Sequence, residues 1–286
     1  MARRGELTYQ AWEKIAPLLP NNNRPGKPWK DHRTVINSIL WKLRTGAPWR
    51  DLPERYGPWK TCYDRFVRWR KDGTWERLLA HEQTHSDAVS DVEWVVSVDT
   101  TIVRAHQHTA GAKRAGADRK KGNQYFQNEA LGKSRGGLTT KIHLACDGKG
   151  RPLAVLLTPG QRHDSTQLET LLEAIRVPRQ GRGRPRKRPD RLIADRGYSY
   201  PGCRRLLKRR GIAHTIPERI DQRMRRSQLP GRPLSFDQEL YARRNVVERC
   251  INRLKQWRGI ATRYEKKAVN FHAVLLIACL MIWLNS

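Results

Sequence analysis

The chain has 286 residues, enough for one large domain or a large and a small one, and its 38% hydrophobic and 8% aromatic content excludes wholesale disorder. A formal charge of +30 is far more than solubility needs; together with ten tryptophans it suits nucleic acid as the partner better than it suits a histone-like tail. Five cysteines, Cys62, Cys146, Cys203, Cys250 and Cys279, show no paired spacing, which argues against a disulfide framework and against a zinc site.

The charge is uneven. Residues 1–90 carry 17 Lys and Arg against 10 Asp and Glu, residues 91–175 carry 12 against 9, and residues 176–286 carry 28 against 8. A nearly neutral middle beside a strongly basic end fits a centre that needs its carboxylates, flanked by surfaces that hold phosphates. The first residues contain no apolar signal core, and the apolar run at 273–284 is too short to span a bilayer, so a cytoplasmic protein without a membrane partner is expected.

In chain order, residues 1–90 read as a helical domain. An amphipathic helix at 7–19 stops at Pro20, and a Pro/Gly/Asn linker follows at 21–28. Asp31 is placed to cap a second helix in which Val35, Ile39 and Leu43 recur at four-residue spacing. A short helix at 52–56, a turn at Gly57 and a basic helix from Pro58 to Lys71 resemble a helix-turn-helix. In that last helix Trp59, Tyr63, Phe66 and Val67 are expected inward, with Lys60, Arg68 and Arg70 outside as DNA contacts. A plain helical bundle is the competing reading.

From residue 91 the texture becomes α/β. Residues 94–98 form a β-rich run ending at Asp99, and 101–103 can continue as a second strand. Residues 138–145 and 153–157 flank the turn Asp147-Gly-Lys-Gly150 as a hairpin. Basic loops are expected at 109–137 and 176–191, helices at 166–175, 201–210 and 269–284, and strands at 191–194 and 212–216. Asp164 reads as the cap of the 166–175 helix.

Residues 241–255 read as one helix. At 100° per residue Tyr241, Arg244, Glu248 and Lys255 share an arc of about 60°, beside an apolar stripe of Val247, Cys250, Ile251 and Leu254. One edge of a core-facing helix therefore carries a single carboxylate among cations. Asp99 and Asp195 are each expected at the C-terminal end of a short apolar strand, where α/β sheets place their chemistry. Singly, each Asp reads as well as a turn or cap residue. Together with Glu248 they form a set of three acids that needs cations, and hard oxygen donors without His or Cys favour magnesium or manganese. Two such ions can activate an attacking hydroxyl and stabilise the leaving oxygen of a phosphodiester.

The order Asp99, Asp195, Glu248, the spacing Tyr241-x-x-Arg244-x-x-x-Glu248-x-x-x-x-x-x-Lys255, and the phrases Ser97-Val-Asp99-Thr, Ala194-Asp195-Arg-Gly-Tyr198 and Gly46-Ala-Pro-Trp-Arg-Asp-Leu-Pro53 resemble the DDE transposases of bacterial insertion sequences. The insertion sequence 5 family is the nearest resemblance, over nearly the whole chain. It implies an RNase H-like mixed-sheet catalytic domain over 91–286 that binds two Mg2+ or Mn2+ ions through Asp99, Asp195 and Glu248. It implies an enzyme of the bacterial nucleoid whose partner is double-stranded DNA, as transposon ends and as target. The ends would be nicked and their 3′-hydroxyls joined to target DNA, by a homodimer on DNA. Arg244 and Lys255 would contact phosphate, with Tyr241 in support. Only 52 residues separate Asp195 from Glu248, so no inserted β-domain is expected. A host-adopted nuclease and a DNA-binding regulator derived from a transposase are the alternatives.

Arg182-Gly-Arg184-Pro185, followed by Arg186, resembles an AT-hook for a narrow minor groove, while a basic loop on phosphates explains the same residues more simply. His106, His108 and His163 lie near candidate strands, where structural histidines are the commoner case.

Overall fold

A computed structural model describes residues 5–21, 28–110, 129–134, 137–228 and 236–286. Most of the linker expected at 21–28 and most of the basic loop expected at 109–137 lie outside the described residues.

Four helices open the chain: α1 (Tyr9–Ile15), α2 (His32–Thr45), α3 (Trp59–Lys71) and α4 (Thr74–Ala88). Asp31 caps α2 as expected, accepting from Thr34 N at 2.7 Å, and Gly46 ends it in the left-handed conformation at φ 72°. The expected helix at 52–56 is shorter, a single 3-10 turn at Glu54–Tyr56. The inward face of α3 also differs from expectation. Cys62, Arg65, Phe66 and Trp69 are buried, whereas Trp59 is exposed and Tyr63 and Val67 only partly covered. The cause is Arg65, whose guanidinium sits 3.9 Å from the Trp29 ring centre and meets His32 Nδ1 at 2.9 Å, drawing that edge of the helix inward.

Among the described residues the sheet has seven strands, β1 (Val95–Ala105), β2 (Gly132–Ser134), β3 (Gly137–Cys146), β4 (Pro152–Pro159), β5 (Arg191–Ile193), β6 (Ala213–Thr215) and β7 (Thr262–Arg263). β1 pairs antiparallel with β3, which pairs antiparallel with β4; β5 and β6 continue parallel on the other side of β1. The fold is mixed α/β, a mixed sheet preceded by a helical region, as the resemblance implies. The β3–β4 hairpin turns at Asp147–Gly150, where Asp147 is fully buried against Arg151.

Two expected strands are one. β1 runs unbroken for 11 residues because β3 pairs with it from Ser97 to Arg104, so Asp99 lies inside a strand and not at its end. The helix expected at 166–175 is a 3-10 turn at Asp164–Gln167 running into Leu168–Ala174. Asp164 caps nothing there and instead accepts from Lys141 Nζ at 2.7 Å.

The Ala268–Leu284 helix is apolar on nearly all sides and correspondingly buried, packing on α4 and β4. No helix among the described residues is long and apolar enough to cross a membrane. One apolar cluster runs from Leu7 through the sheet to Leu284, so the helical region and the sheet share a core. Arg263 pins the end of the sheet: fully buried, it donates to the carbonyls of Glu129, Glu265 and Lys266 and to Thr140 Oγ1.

Candidate active site

The strand register brings the first two carboxylates together. β1 and β5 pair in parallel, and the last rung joins Ser97 to Ile193. Asp99 and Asp195 each lie two residues past that rung, on neighbouring chains whose strand spacing is about 4.8 Å. Beyond the rung β5 ends, and Asp195 turns the chain by accepting from Gly197 N at 2.9 Å, which caps the short turn Arg196–Tyr198. The approach is close: a Cβ on Gly197 would stand 3.0 Å from Asp195 Oδ1.

Asp99 is largely covered. Its Oδ1 accepts from Thr100 N at 2.8 Å and its Oδ2 from Arg244 Nη2 at 2.8 Å. Burial raises the Asp99 pKa; Arg244 pulls it back, and the charges of Asp195 and Glu248 push it up again. Asp99 thus feels the charge of both other carboxylates.

Glu248 comes from the Asn245–Lys255 helix, which packs on β1 and β3 through Val247, Cys250, Ile251 and Leu254, the stripe expected from the periodicity. The expected single helix over 241–255 is broken, however. Gln238–Ala242 is a separate helix, and the chain tightens through Arg243 and Arg244 with hydrogen bonds from Arg244 N to Tyr241 O and from Val247 N to Arg244 O. These three-residue steps replace the four-residue steps of a straight helix. They set Arg244 at the start of the second helix, where its guanidinium reaches Asp99 and also donates to Glu248. Burial lowers the Arg244 pKa, but the two carboxylates more than reverse that and raise it. Its Nε is buried without a partner.

The structure therefore links Asp99 to Glu248 through Arg244 and sets Asp195 at the end of the strand beside Asp99. Tyr241, on the Gln238–Ala242 helix, meets the Phe236 ring at a tilt with ring centres 5.4 Å apart. Lys255 is seven residues past Glu248, about 10 Å along the helix, and meets no carboxylate among the described residues. Away from this centre, Lys60 and Arg68 are exposed on α3, with Arg68 over the Trp29 ring at 5.1 Å, while Arg70 is partly buried. Arg182 and Arg184 are exposed on their loop, but Arg186 is tied down by Asp190 at 3.1 Å and by the Trp94 ring at 4.2 Å. His106 meets the rings of His108 and Tyr264 at tilted angles, and His163 meets Ser165 and Tyr200.

Tyr198 is a neighbour that sequence reasoning quoted but gave no role. Its hydroxyl is buried without a partner, and burial followed by the charges of Asp164, Asp195 and Asp99 drives its pKa well up. The signal was its place three residues after Asp195, on the turn that Asp195 caps.

As they stand, no three His, Cys, Asp or Glu side chains among the described residues are grouped closely enough to hold a metal ion. The donor chemistry nevertheless fits a hard divalent cation: three carboxylates without sulfur or imidazole, two of them, Asp99 and Glu248, already sharing the Arg244 guanidinium.

Comparison with known proteins adds a second line of findings. Residues 90–283 match the family model "Transposase DDE domain", and residues 7–79 match "Putative transposase of IS4/5 family". The chain is 38% identical over 110 residues to the uncharacterized protein y4sN of Sinorhizobium fredii, covering 38% of this chain and 84% of that one. It is 35% identical over 147 residues to the "Putative transposase for insertion sequence element IS402" of Burkholderia cepacia, covering 51% of this chain and 64% of that one. It is 33% identical over 148 residues to the corresponding protein of insertion sequence element IS6501 from Brucella ovis, covering 52% of this chain and all of that one. Among solved structures, a pre-cleavage Mos1 transpososome aligns over 93% of this chain and 81% of that one at 13% identity, with a TM-score of 0.27.

Proposed function

The chain belongs to the transposases defined by the DDE domain, and on that premise we propose that it binds the terminal inverted repeats of its insertion sequence, hydrolyses a phosphodiester at each end and joins the released 3′-hydroxyls to target DNA. The observation that carries this reading is the register of β1 and β5, which sets Asp99 beside Asp195, with Glu248 joined to Asp99 through Arg244.

Asp99, Asp195 and Glu248 would hold magnesium or manganese, which would supply Lewis-acid activation of the attacking hydroxyl and of the leaving oxygen. The chain's own residues do the rest. Asp195 is held on a capped turn and Asp99 within a paired strand, so both carboxylates keep their aim. Arg244 and Lys255 grip phosphate near the cleaved bond, with Tyr241 beside them, and Arg244 leaves its carboxylates to do so. The helical part to residue 90 reads the repeat through the exposed face of α3, with Lys60 and Arg68 on phosphates, while residues 91–286 hold the chemistry. The loop of Arg182 and Arg184 adds phosphate contacts. Two copies of the chain pair the two ends.

The test is an assay of the purified protein on duplexes carrying its terminal repeats, with manganese, and with pre-cut ends in a parallel reaction. Cleavage followed by joining to a target plasmid supports the reading. Cleavage without joining of pre-cut ends reassigns the protein as a nuclease, and binding with neither reaction reassigns it as a regulator.

A further inference from the structure

The +20 excess of the chain after residue 176 is not spent at the carboxylate centre. A cleft of about 650 Å³ opens at the edge of the sheet, lined by Arg191 of β5, by Arg204, Arg205 and Lys208 of the Pro201–Arg209 helix, and by His214 of β6. Among the described residues its one lining acid, Asp237, is engaged in capping the Gln238–Ala242 helix, where it accepts from Leu240 N at 2.9 Å. None of Asp99, Asp195 or Glu248 lines the cleft.

Other cations on this helix and in the segments that follow it have acidic partners. Arg209 and Arg210 pair with Glu169, Arg210 also with Glu173, and Arg226 pairs with Glu218. Arg205 and Lys208, both exposed, meet no carboxylate among the described residues. Arg204 is half-buried and donates to Ile216 O at 2.8 Å, and Arg191 donates to Thr215 Oγ1 at 3.2 Å, so these two are held facing the cleft by neutral acceptors. β6, the strand beneath, pairs only with β5 among the described residues. The result is a concave, cation-lined strip in which Arg191 and Arg204 are held in place and Arg205 and Lys208 meet no carboxylate among the described residues, and the complementary ligand is a run of phosphates.

We propose that this cleft holds the phosphodiester backbone of the transposon-end duplex, on the flank of the bond being cut. The proposal rests on the transposase reading above. Its position follows from the sheet: Arg191 opens β5 and Asp195 follows its end, four residues apart and so at most about 13 Å. At about 3.4 Å of rise per nucleotide on one strand, the gripped phosphates lie on the order of four base pairs from the scissile one. End DNA is chosen over target DNA because the same end must stay held through both hydrolysis and joining.

The experiment compares the full-length protein with an Arg205→Glu/Lys208→Glu variant, in binding and hydroxyl-radical footprinting on the end duplex. A Lys14→Glu/Lys149→Glu variant, altered at two cations that already pair with Glu82 and Asp91, carries the same charge change elsewhere. The expected result is a fall in end affinity of about tenfold at 0.1 M salt, with a log-affinity against log-salt slope shallower by about 2. Backbone protection about four base pairs from the cleavage position disappears, protection at that position persists, and the control variant binds nearly as wild type. Unchanged affinity and footprint overturn the proposal, as does an equal loss in the control. Loss of target capture with end binding intact also overturns it. Failure of the transposase reading looks different: the wild-type protein then shows no preference for its own ends, and the assignment of the cleft falls with it.

Discussion

Arg244 Nη2 donates to Asp99 Oδ2 across 2.8 Å, and the other arm of the same guanidinium reaches Glu248. A single fixed cation thus relieves the repulsion of a carboxylate cluster that a divalent ion would also relieve. Replacing Arg244 with Gln removes that competitor. Manganese binding to the DNA-free protein, followed by electron paramagnetic resonance, is expected to tighten by about fivefold, the scale of one partly screened charge pair of about 1 kcal/mol. End-DNA affinity of the same variant should fall. Weaker manganese binding in the variant would show that Arg244 supports the cation site and does not compete for it.

Gly197 lets Asp195 cap its own turn at close range. An added Cβ would stand 3.0 Å from Asp195 Oδ1, so Gly197→Ala must move the carboxylate or the turn. Since a displacement of about 1 Å in a reacting group can cost about a hundredfold in rate, a shift of a few tenths of an ångström should slow end cleavage by this variant by about threefold. Its thermal unfolding should stay close to wild type. A wild-type cleavage rate would mean that the orientation of Asp195 is not limiting.

His143 is fully buried on β3, with Nε2 2.8 Å from Thr158 Oγ1. Burial holds its pKa down at about 4, against an ordinary value of 6.5. Between these values the unfolded chain binds a proton that the folded chain refuses. The neutral histidine therefore contributes stability that is present above pH 6.5 and is lost as pH falls toward 4. The shift corresponds to roughly 3 kcal/mol. Urea unfolding of wild type and His143→Leu across pH 4–7 should give a flatter pH dependence in the variant. Parallel curves would contradict the assignment.

Arg263 satisfies several carbonyls at once from a site with no solvent exposure. Arg263→Met strands those acceptors and should cost about 3–5 kcal/mol in urea unfolding. Arg263→Lys should recover little of it, because an ammonium cannot reproduce the planar fork of donors. Full recovery by lysine would show that charge, and not geometry, is what the site requires.

The parts of this fold legible in the sequence were those set by short-range pattern. The stripe of Val247, Cys250, Ile251 and Leu254, the Asp31 cap and the β3–β4 hairpin each follow from spacing within a few residues. What escaped depends on distant partners. The length of β1, which puts Asp99 inside a strand, is fixed by pairing with β3 some 40 residues later. The break at Arg243–Arg244 accompanies a contact with Asp99, 145 residues earlier. Asp164 could serve locally as a cap, yet Lys141 from a neighbouring strand claims it. The outward face of α3 shifted because Arg65, polar by type, packs under Trp29.

The central claim is that Asp99, Asp195 and Glu248 work as one centre. Its most direct test is manganese-dependent cleavage of an end duplex by wild type and by Asp99→Asn, Asp195→Asn and Glu248→Gln, each checked for end binding on the same duplex. A loss of about a thousandfold or more is expected in every variant, with end binding retained. Near-wild-type cleavage by any one of the three would remove that residue from the centre.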